Sequence, residues 1–170
     1  MIRQTLTGLC LLAAGCGYHV SGHTDLLPKT IETVCVPAFG NATTRYKLTD
    51  RLPEAITREF ISRTRYKVMN DMNQADAILR GTVVNYNAYP VIFDPTSGRA
   101  STIQVSVVLA ITLTERATGK VLYTRPGLEW KQQYEISVDP RAFVDESDAA
   151  LERLSRDVAR SVVSGILENF

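Results

Sequence analysis

From residue 103 to residue 113 every odd position is apolar: Ile103, Val105, Val107, Leu109, Ile111 and Leu113. Gln104, Ser106 and Thr112 stand between them, and Thr114 follows. Side chains along a strand point alternately to its two sides, so this segment buries one face only as a long β-strand. Clean alternation of this kind belongs to antiparallel sheets that pack one face on a core and leave the other wet. The segment excludes an all-helical fold and requires an apolar layer over its odd face.

Two segments carry that layer. Leu48, Leu52, Ile56 and Phe60 recur every four residues, which predicts a helix over about 47–64 with one apolar stripe. Thr49 or Asp50 is the expected cap, with Pro53 tolerated in the first turn. Leu151, Leu154, Val158, Val162 and Ile166 form a second stripe, on a helix that starts at Asp139-Pro140 and runs nearly to Phe170. Residues 31–37 and 75–89 read as strands, Gly40-Asn41 as a turn, and 90–100 as a loop with Asp94-Pro95-Thr96-Ser97-Gly98 at its centre. Glu115-Arg116-Ala117-Thr118-Gly119-Lys120 is a hairpin turn in which Gly119 supplies a positive φ. In the return strand the apolar phase moves from odd (Val121, Tyr123) to even (Leu128, Trp130, Tyr134, Ile136), which predicts a bulge or break at Pro126-Gly127. The expected order is β-α-β-β-β-α. It makes an α+β two-layer sandwich, with two helices packed on one face of a four-stranded mixed sheet, in a single domain over residues 31–170.

The amino terminus carries a different message. Arg3 and the free amine precede an apolar stretch from Leu6 to Ala14, and Leu12-Ala13-Ala14-Gly15-Cys16 follows. The stretch is far short of the roughly 20 apolar residues of a spanning helix and suits a cleaved signal peptide over residues 1–15. A cysteine directly after small residues resembles the lipobox of bacterial lipoproteins, although leucine stands one position earlier than is usual there. That resemblance implies cleavage before Cys16, a diacylglyceryl group on its thiol and an acyl (palmitate-type) chain on its amine. Two or three acyl chains, at about 0.8 kcal/mol per buried CH₂, anchor a protein stably. Gly17, in place of an aspartate, implies the outer membrane. Residues 16–30, with glycines and Pro28, read as the lipidated tether. Cys10 leaves with the signal and Cys16 is lipidated, so Cys35, in Val34-Cys35-Val36, remains as a core thiol.

Removal of residues 1–15 leaves 18 basic and 18 acidic side chains, so no nucleic-acid-binding field is expected. Charge is nevertheless segregated. Residues 41–67 hold Arg45, Lys47, Arg51, Arg58, Arg63, Arg65 and Lys67 against three acids, and residues 139–170 hold seven acids against four arginines. This fits two helices with solvated faces of opposite sign, or a basic segment that meets an anionic partner. His19 and His23 both lie in the tether, and no phosphate loop, nucleophile elbow or metal-spaced set is present. Asp94, Asp139, Asp145 and Glu146 fit as turn or helix-start residues. No catalytic residue, metal ligand or cofactor is therefore expected. Binding candidates are Arg99 in the 90–100 loop and the outward face of the last strand, where Glu129, Lys131, Gln133 and Glu135 alternate. Either cation can pair with a phosphate or serve as a solubilising edge charge. Tyr86, Tyr89 and Phe93 lead into the same loop as an aromatic cluster.

The order and spacing of several segments resemble the lipopolysaccharide-assembly lipoprotein family LptE. They are Cys16-Gly17-Tyr18-His19, Val36-Pro37-Ala38-Phe39-Gly40-Asn41, the helix with Leu52, Ala55-Ile56 and Glu59-Phe60, Ala75-Asp76-Ala77-Ile78-Leu79-Arg80-Gly81, Thr118-Gly119-Lys120-Val121-Leu122, and the closing amphipathic helix. The resemblance implies an outer-membrane lipoprotein on the periplasmic side that plugs the β-barrel protein LptD, assists its assembly and binds lipopolysaccharide. It also implies basic residues near strand and loop tips as lipopolysaccharide ligands, here Arg99 and Lys131. The competing readings are a stand-alone lipoprotein that carries another amphiphile in the periplasm, and a periplasmic hydrolase.

Overall fold

In the computed structural model, residues 27–136 and 140–168 are described; the signal segment, Cys16, the histidines and Asp139 lie outside them. The elements are β1 (Thr33–Cys35), β2 (Gly40–Asn41), α1 (Lys47–Arg63), β3 (Lys67–Met69), β4 (Ala77–Phe93), β5 (Ala100–Glu115), β6 (Val121–Glu135) and α2 (Pro140–Glu168). They build one mixed sheet of order β3-β1-β4-β5-β6, with β2 paired to β4 beyond the end of β1. β1 is parallel to both β3 and β4, while β4, β5 and β6 form an antiparallel meander of long strands.

The expected layers are present. Val105, Val107, Leu109, Ile111 and Leu113 of β5 are buried against Leu48, Leu52, Ile56 and Phe60 of α1 and against the stripe of α2 from Leu151 to Ile166. Each such fully buried aliphatic side chain contributes about 1.5–3 kcal/mol relative to exposure, so the core follows directly from the two periodicities. Cys35 is buried and free, and its burial raises its thiol pKa. Leu27, at the end of the expected tether, is also part of the core.

Four expectations are corrected. The sheet has six strands rather than four, because β2 and β3 are too short to show a period, and Gly40-Asn41 is β2, pairing with Thr82 and Val83. β4 runs through Pro90 to Phe93, so the loop is shorter than 90–100. Among the described residues no strand flanks the outer edge of β4 beyond Val83, so a proline facing that edge breaks no ladder bond, and the register shifts beside it. Helix α1 begins at Lys47 after Tyr46, which makes no side-chain cap bond, so neither Thr49 nor Asp50 caps it. Pro53 therefore lies past the first turn. Without an N–H, it leaves the Thr49 carbonyl free, and the Phe39 backbone N–H donates to that carbonyl at 3.1 Å. The helix keeps its proline because a neighbouring segment supplies the missing donor.

One expected turn and one expected strand irregularity form as read. Gly119 adopts φ +71° between β5 and β6, where the Gly119 N–H donates to the Glu115 carbonyl at 2.9 Å. The register of β6 slips between Leu128 and Arg125, placing the bulge at Pro126-Gly127 opposite Ala110.

The parallel corner is held by one carboxylate. Asp76 accepts the Glu32 and Thr33 backbone N–H groups at 3.0 Å each and the Thr33 hydroxyl at 2.8 Å. The Thr33 hydroxyl bond first, and then the Glu32 N–H, hold the Asp76 pKa below the usual carboxylate range. A carboxyl depressed in the folded state adds stability above its unfolded pKa, and that stability is lost as pH falls through the folded value. Thermal midpoints should therefore decline below about pH 4. Asp76→Ala should remove part of that decline and destabilise by roughly 1–3 kcal/mol at neutral pH, because two backbone donors lose their acceptor. Identical acid profiles for the two proteins would assign the pH dependence elsewhere.

Candidate functional site

The β4–β5 hairpin carries the candidate ligand residue Arg99 at its tip. Its turn is tightly organised. The Asp94 carboxylate accepts the Thr96 N–H at 3.0 Å, the Ser97 N–H at 2.6 Å and the Ser97 hydroxyl at 2.9 Å. These bonds, the Ser97 N–H foremost, lower the Asp94 pKa. Gly98 takes φ +66°, and the Asp94 N–H donates to the Arg99 carbonyl at 2.8 Å. Asp94 thus acts as the turn residue expected from sequence. The turn displays Arg99 beside Ile92 (54% exposed) and Phe93 (55% exposed), with Tyr89 (42% exposed) farther down β4. Exposed apolar side chains next to a cation mark a surface with amphiphilic character.

The aromatic cluster of the sequence reading divides between two faces. Tyr86 points into the core side under Arg45, whose guanidinium carbon lies 5.0 Å from the ring centroid, and burial raises the tyrosine pKa. Tyr89 is on the opposite face and accepts a 2.6 Å hydrogen bond from Gln104. The register shift between Val83 and Asn85 changes the phase of β4 between the buried Val83 and Tyr86, and sequence alone does not locate that shift.

Lys131 occupies the outward face of β6, as alternation requires, but not beside Arg99. It pairs with Ser106, whereas Arg99 precedes Ala100 on the same strand, a separation of roughly 20 Å at strand spacing. Its Nζ lies 3.3 Å from Glu129, which also accepts the Ser106 hydroxyl at 2.8 Å. Ser106 first, then Lys131, lower the Glu129 pKa. Lys131 is thus charge-matched on the spot, and Arg99 is the cation of the pair with no ion-pair partner among the described residues.

The basic segment is also largely answered within the fold. Lys47 and Arg51 both grip Asp148 of α2, at 3.0 and 3.1 Å, while Arg58 pairs with Glu54 and Arg63 with Glu59. The opposite charges of the two helices meet each other across the layer. Among the described residues, no group of three His, Cys, Asp or Glu side chains is placed to hold a metal, and no helix is long and apolar enough to cross a membrane. The side chains of Asp145 and Glu146 lie outside the described set. A shallow groove of about 490 Å³ runs between β6 and the end of α2, lined by Leu128, Trp130, Ser161 and Gly165.

Solved structures share this architecture of two helices on a mixed sheet. The chain is similar to lipoprotein B of Nitrosomonas europaea, with 16% identity, TM-score 0.59, and coverage of 89% of this chain and 91% of that one. It is also similar to rare lipoprotein B of Shewanella oneidensis (12%, TM-score 0.56, 81% and 95%) and to a minor lipoprotein of Acinetobacter baumannii (14%, TM-score 0.55, 84% and 95%). At these identities the likeness establishes the class of fold, a two-layer α+β domain found among bacterial lipoproteins. No curated protein matches the sequence. The family model for LptE, described as lipopolysaccharide-assembly, matches residues 31–166. The chain belongs to the LptE family, and its role lies in lipopolysaccharide assembly.

Proposed function

We propose that this chain is a lipid-anchored protein on the periplasmic side of the outer membrane, the plug and assembly partner of an LptD-like β-barrel, with no catalytic role. The observation that carries the reading is the family match over nearly the whole folded domain. The lipobox-like Cys16 supports the anchor, and the exposed Ile92, Phe93 and Arg99 support contact with an amphiphile that has anionic headgroups and acyl chains. Recovery of the full-length protein from its own cells in complex with a large outer-membrane barrel is the expected result. A mature protein that never engages such a barrel would sink the plug and leave the second reading, an amphiphile carrier, which the same exposed tip favours.

Three variants test the parts separately. Cys16→Ala should abolish incorporation of labelled fatty acid; retained label would contradict the anchor. Arg99→Glu should weaken lipopolysaccharide binding about tenfold or more, since a hydrogen bond to a charged group contributes roughly 1.5–3 kcal/mol. Lys131→Glu should have the smaller effect, because Glu129 already neutralises that lysine. Neither substitution removes a core contact, so thermal midpoints should stay within a few degrees. Equal binding by wild type and Arg99→Glu would place the ligand away from the tip.

A further inference from the structure

A free sheet edge is a row of unpaired backbone N–H and C=O groups, and folded chains blunt such edges with charge, proline, bulges or brevity. Among the described residues, β3 and β6 close the two ends of the sheet, and both are blunted. β3 is three residues long and begins with Lys67. β6 carries Arg125, Glu129, Lys131 and Glu135 and is interrupted by the bulge at Pro126-Gly127. The upper part of β4, also without a neighbour beyond Val83 among the described residues, differs from both. From Gly81 to Phe93 it holds no charged residue, and its register on β5 is unbroken from Asn85 to Pro90. Pro90 has no N–H to give β5 and keeps its place by facing the free edge. Ala88 and Tyr86, two and four residues before it, therefore turn their backbone groups to the same side.

The chain already uses this edge lower down. β2 lies parallel to β4 at Thr82 and Val83, and the Ala42 N–H donates to the Val83 carbonyl at 2.9 Å. Past Ala42 the chain leaves for α1, and Arg45 holds its guanidinium 5.0 Å from the centroid of the Tyr86 ring. Arg45 has no carboxylate partner among the described residues. The slot along β4 is thus open above and shut below, with an unanswered cation at its closed end. A second copy of β4 suits it poorly. Paired antiparallel about a two-fold axis, a strand of 17 residues would run past Pro90 into Ala42, and two Arg45 side chains would converge.

We infer that the β4 edge from Tyr86 to Pro90 receives the carboxyl-terminal segment of a partner protein, added as a strand antiparallel to β4 with its terminal carboxylate at Arg45. Strand addition takes its affinity from main-chain hydrogen bonds, and the Tyr86 and Ala88 groups supply them here. The uncharged edge suits an uncharged, β-branched segment. Charge sets the direction. An antiparallel strand brings its carboxyl end to the closed end of the slot, where Arg45 stands; a parallel strand would begin there and bring its amino end to the cation. The inference depends on neither the plug reading nor the Arg99 tip.

The experiment titrates the full-length protein in detergent with the acetylated peptide Thr-Val-Thr-Val-Thr-Val, as the free acid and as the C-terminal amide. Calorimetry reads the affinity and backbone amide exchange reads the place. The free acid should bind saturably below about 1 mM and slow exchange at Tyr86 and Ala88. The amide should bind about tenfold more weakly, because it lacks the charge that Arg45 answers. Arg45→Gln should erase that difference between the two peptides. Ala88→Pro removes one edge-facing donor and no bond of the β4–β5 ladder, and should lower affinity about tenfold or more. Should it also lower the thermal midpoint, the acid–amide comparison on the wild-type protein and on Arg45→Gln decides alone. Equal binding of acid and amide, no saturable binding, or protection along β6 instead of β4 overturns the inference. A dimer of the purified protein that Ala88→Pro dissolves would also overturn it, in favour of a second copy as the occupant.

Discussion

Phe60→Ala should destabilise the mature protein by about 3–5 kcal/mol, the usual range for removing a buried phenylalanine ring from a core that cannot close over the space. Phe60 is fully buried at the end of the α1 stripe, and its carbonyl accepts both the Thr64 N–H at 3.0 Å and the Thr64 hydroxyl at 2.7 Å. Loss of the ring therefore loosens the point where α1 is tied to the sheet and turns toward β3. At roughly 2–4 °C per kcal/mol for a domain of this size, the thermal midpoint should fall by about 6–20 °C. Ile61→Ala is the matched control: Ile61 is 63% exposed, and its loss should change stability by no more than about 0.5 kcal/mol. Thermal melts followed by circular dichroism measure both. Similar melts for the two variants would mean that α1 does not anchor the core.

Gly81→Ala should also destabilise strongly, although it adds only a methyl group. A Cβ at Gly81 would run into the Phe39 ring, which is itself buried between the sheet and α1. Overpacking of this kind costs typically 1–3 kcal/mol, and Phe39 has little freedom to yield because its N–H is committed to the Thr49 carbonyl. The strain should therefore spread to the Pro53 turn of α1. Phe39→Leu in the Gly81→Ala background should recover part of the loss by clearing the space. A double variant no more stable than Gly81→Ala would place the strain elsewhere. A lesser version of the same fit occurs at Gly165 of α2, where a Cβ would meet the Tyr123 hydroxyl at 2.6 Å.

These two positions differ in how they could be read. Phe60 stands in a run with a period of four, and burial follows from the period because any stripe of that kind must be covered. Gly81 stands inside a strand, where glycine signals only that something comes close. The something is Phe39, forty-two residues away in the chain, and no local pattern connects them. The candidate site divides in the same manner. Alternation along β6 places Lys131 on the outer face, and the Asp94–Gly98 motif places Arg99 on a turn. Alternation also puts Glu129 on the face of Lys131, two residues away, but neither pattern reveals that Ser106 joins them, or that the two cations lie roughly 20 Å apart along the sheet. The basic run from Arg45 to Lys67 was open to two readings for the same reason, since Asp148 reaches Lys47 and Arg51 only through the packing of α2 on α1.

Periodicity, turn chemistry and the cysteine after a signal-like segment are local properties, so the chain alone specifies the two helices, the long meander, the Gly119 hairpin, the bulge at Pro126-Gly127 and the expected lipid anchor. Two- and three-residue strands have no period to read, and a proline inside a helix or a strand is admissible only if some other segment or an open edge accommodates it. The six-stranded sheet, Pro53 in α1 and Pro90 in β4 therefore emerge only with the assembled layers, because each depends on partners that the chain brings together from far along its length.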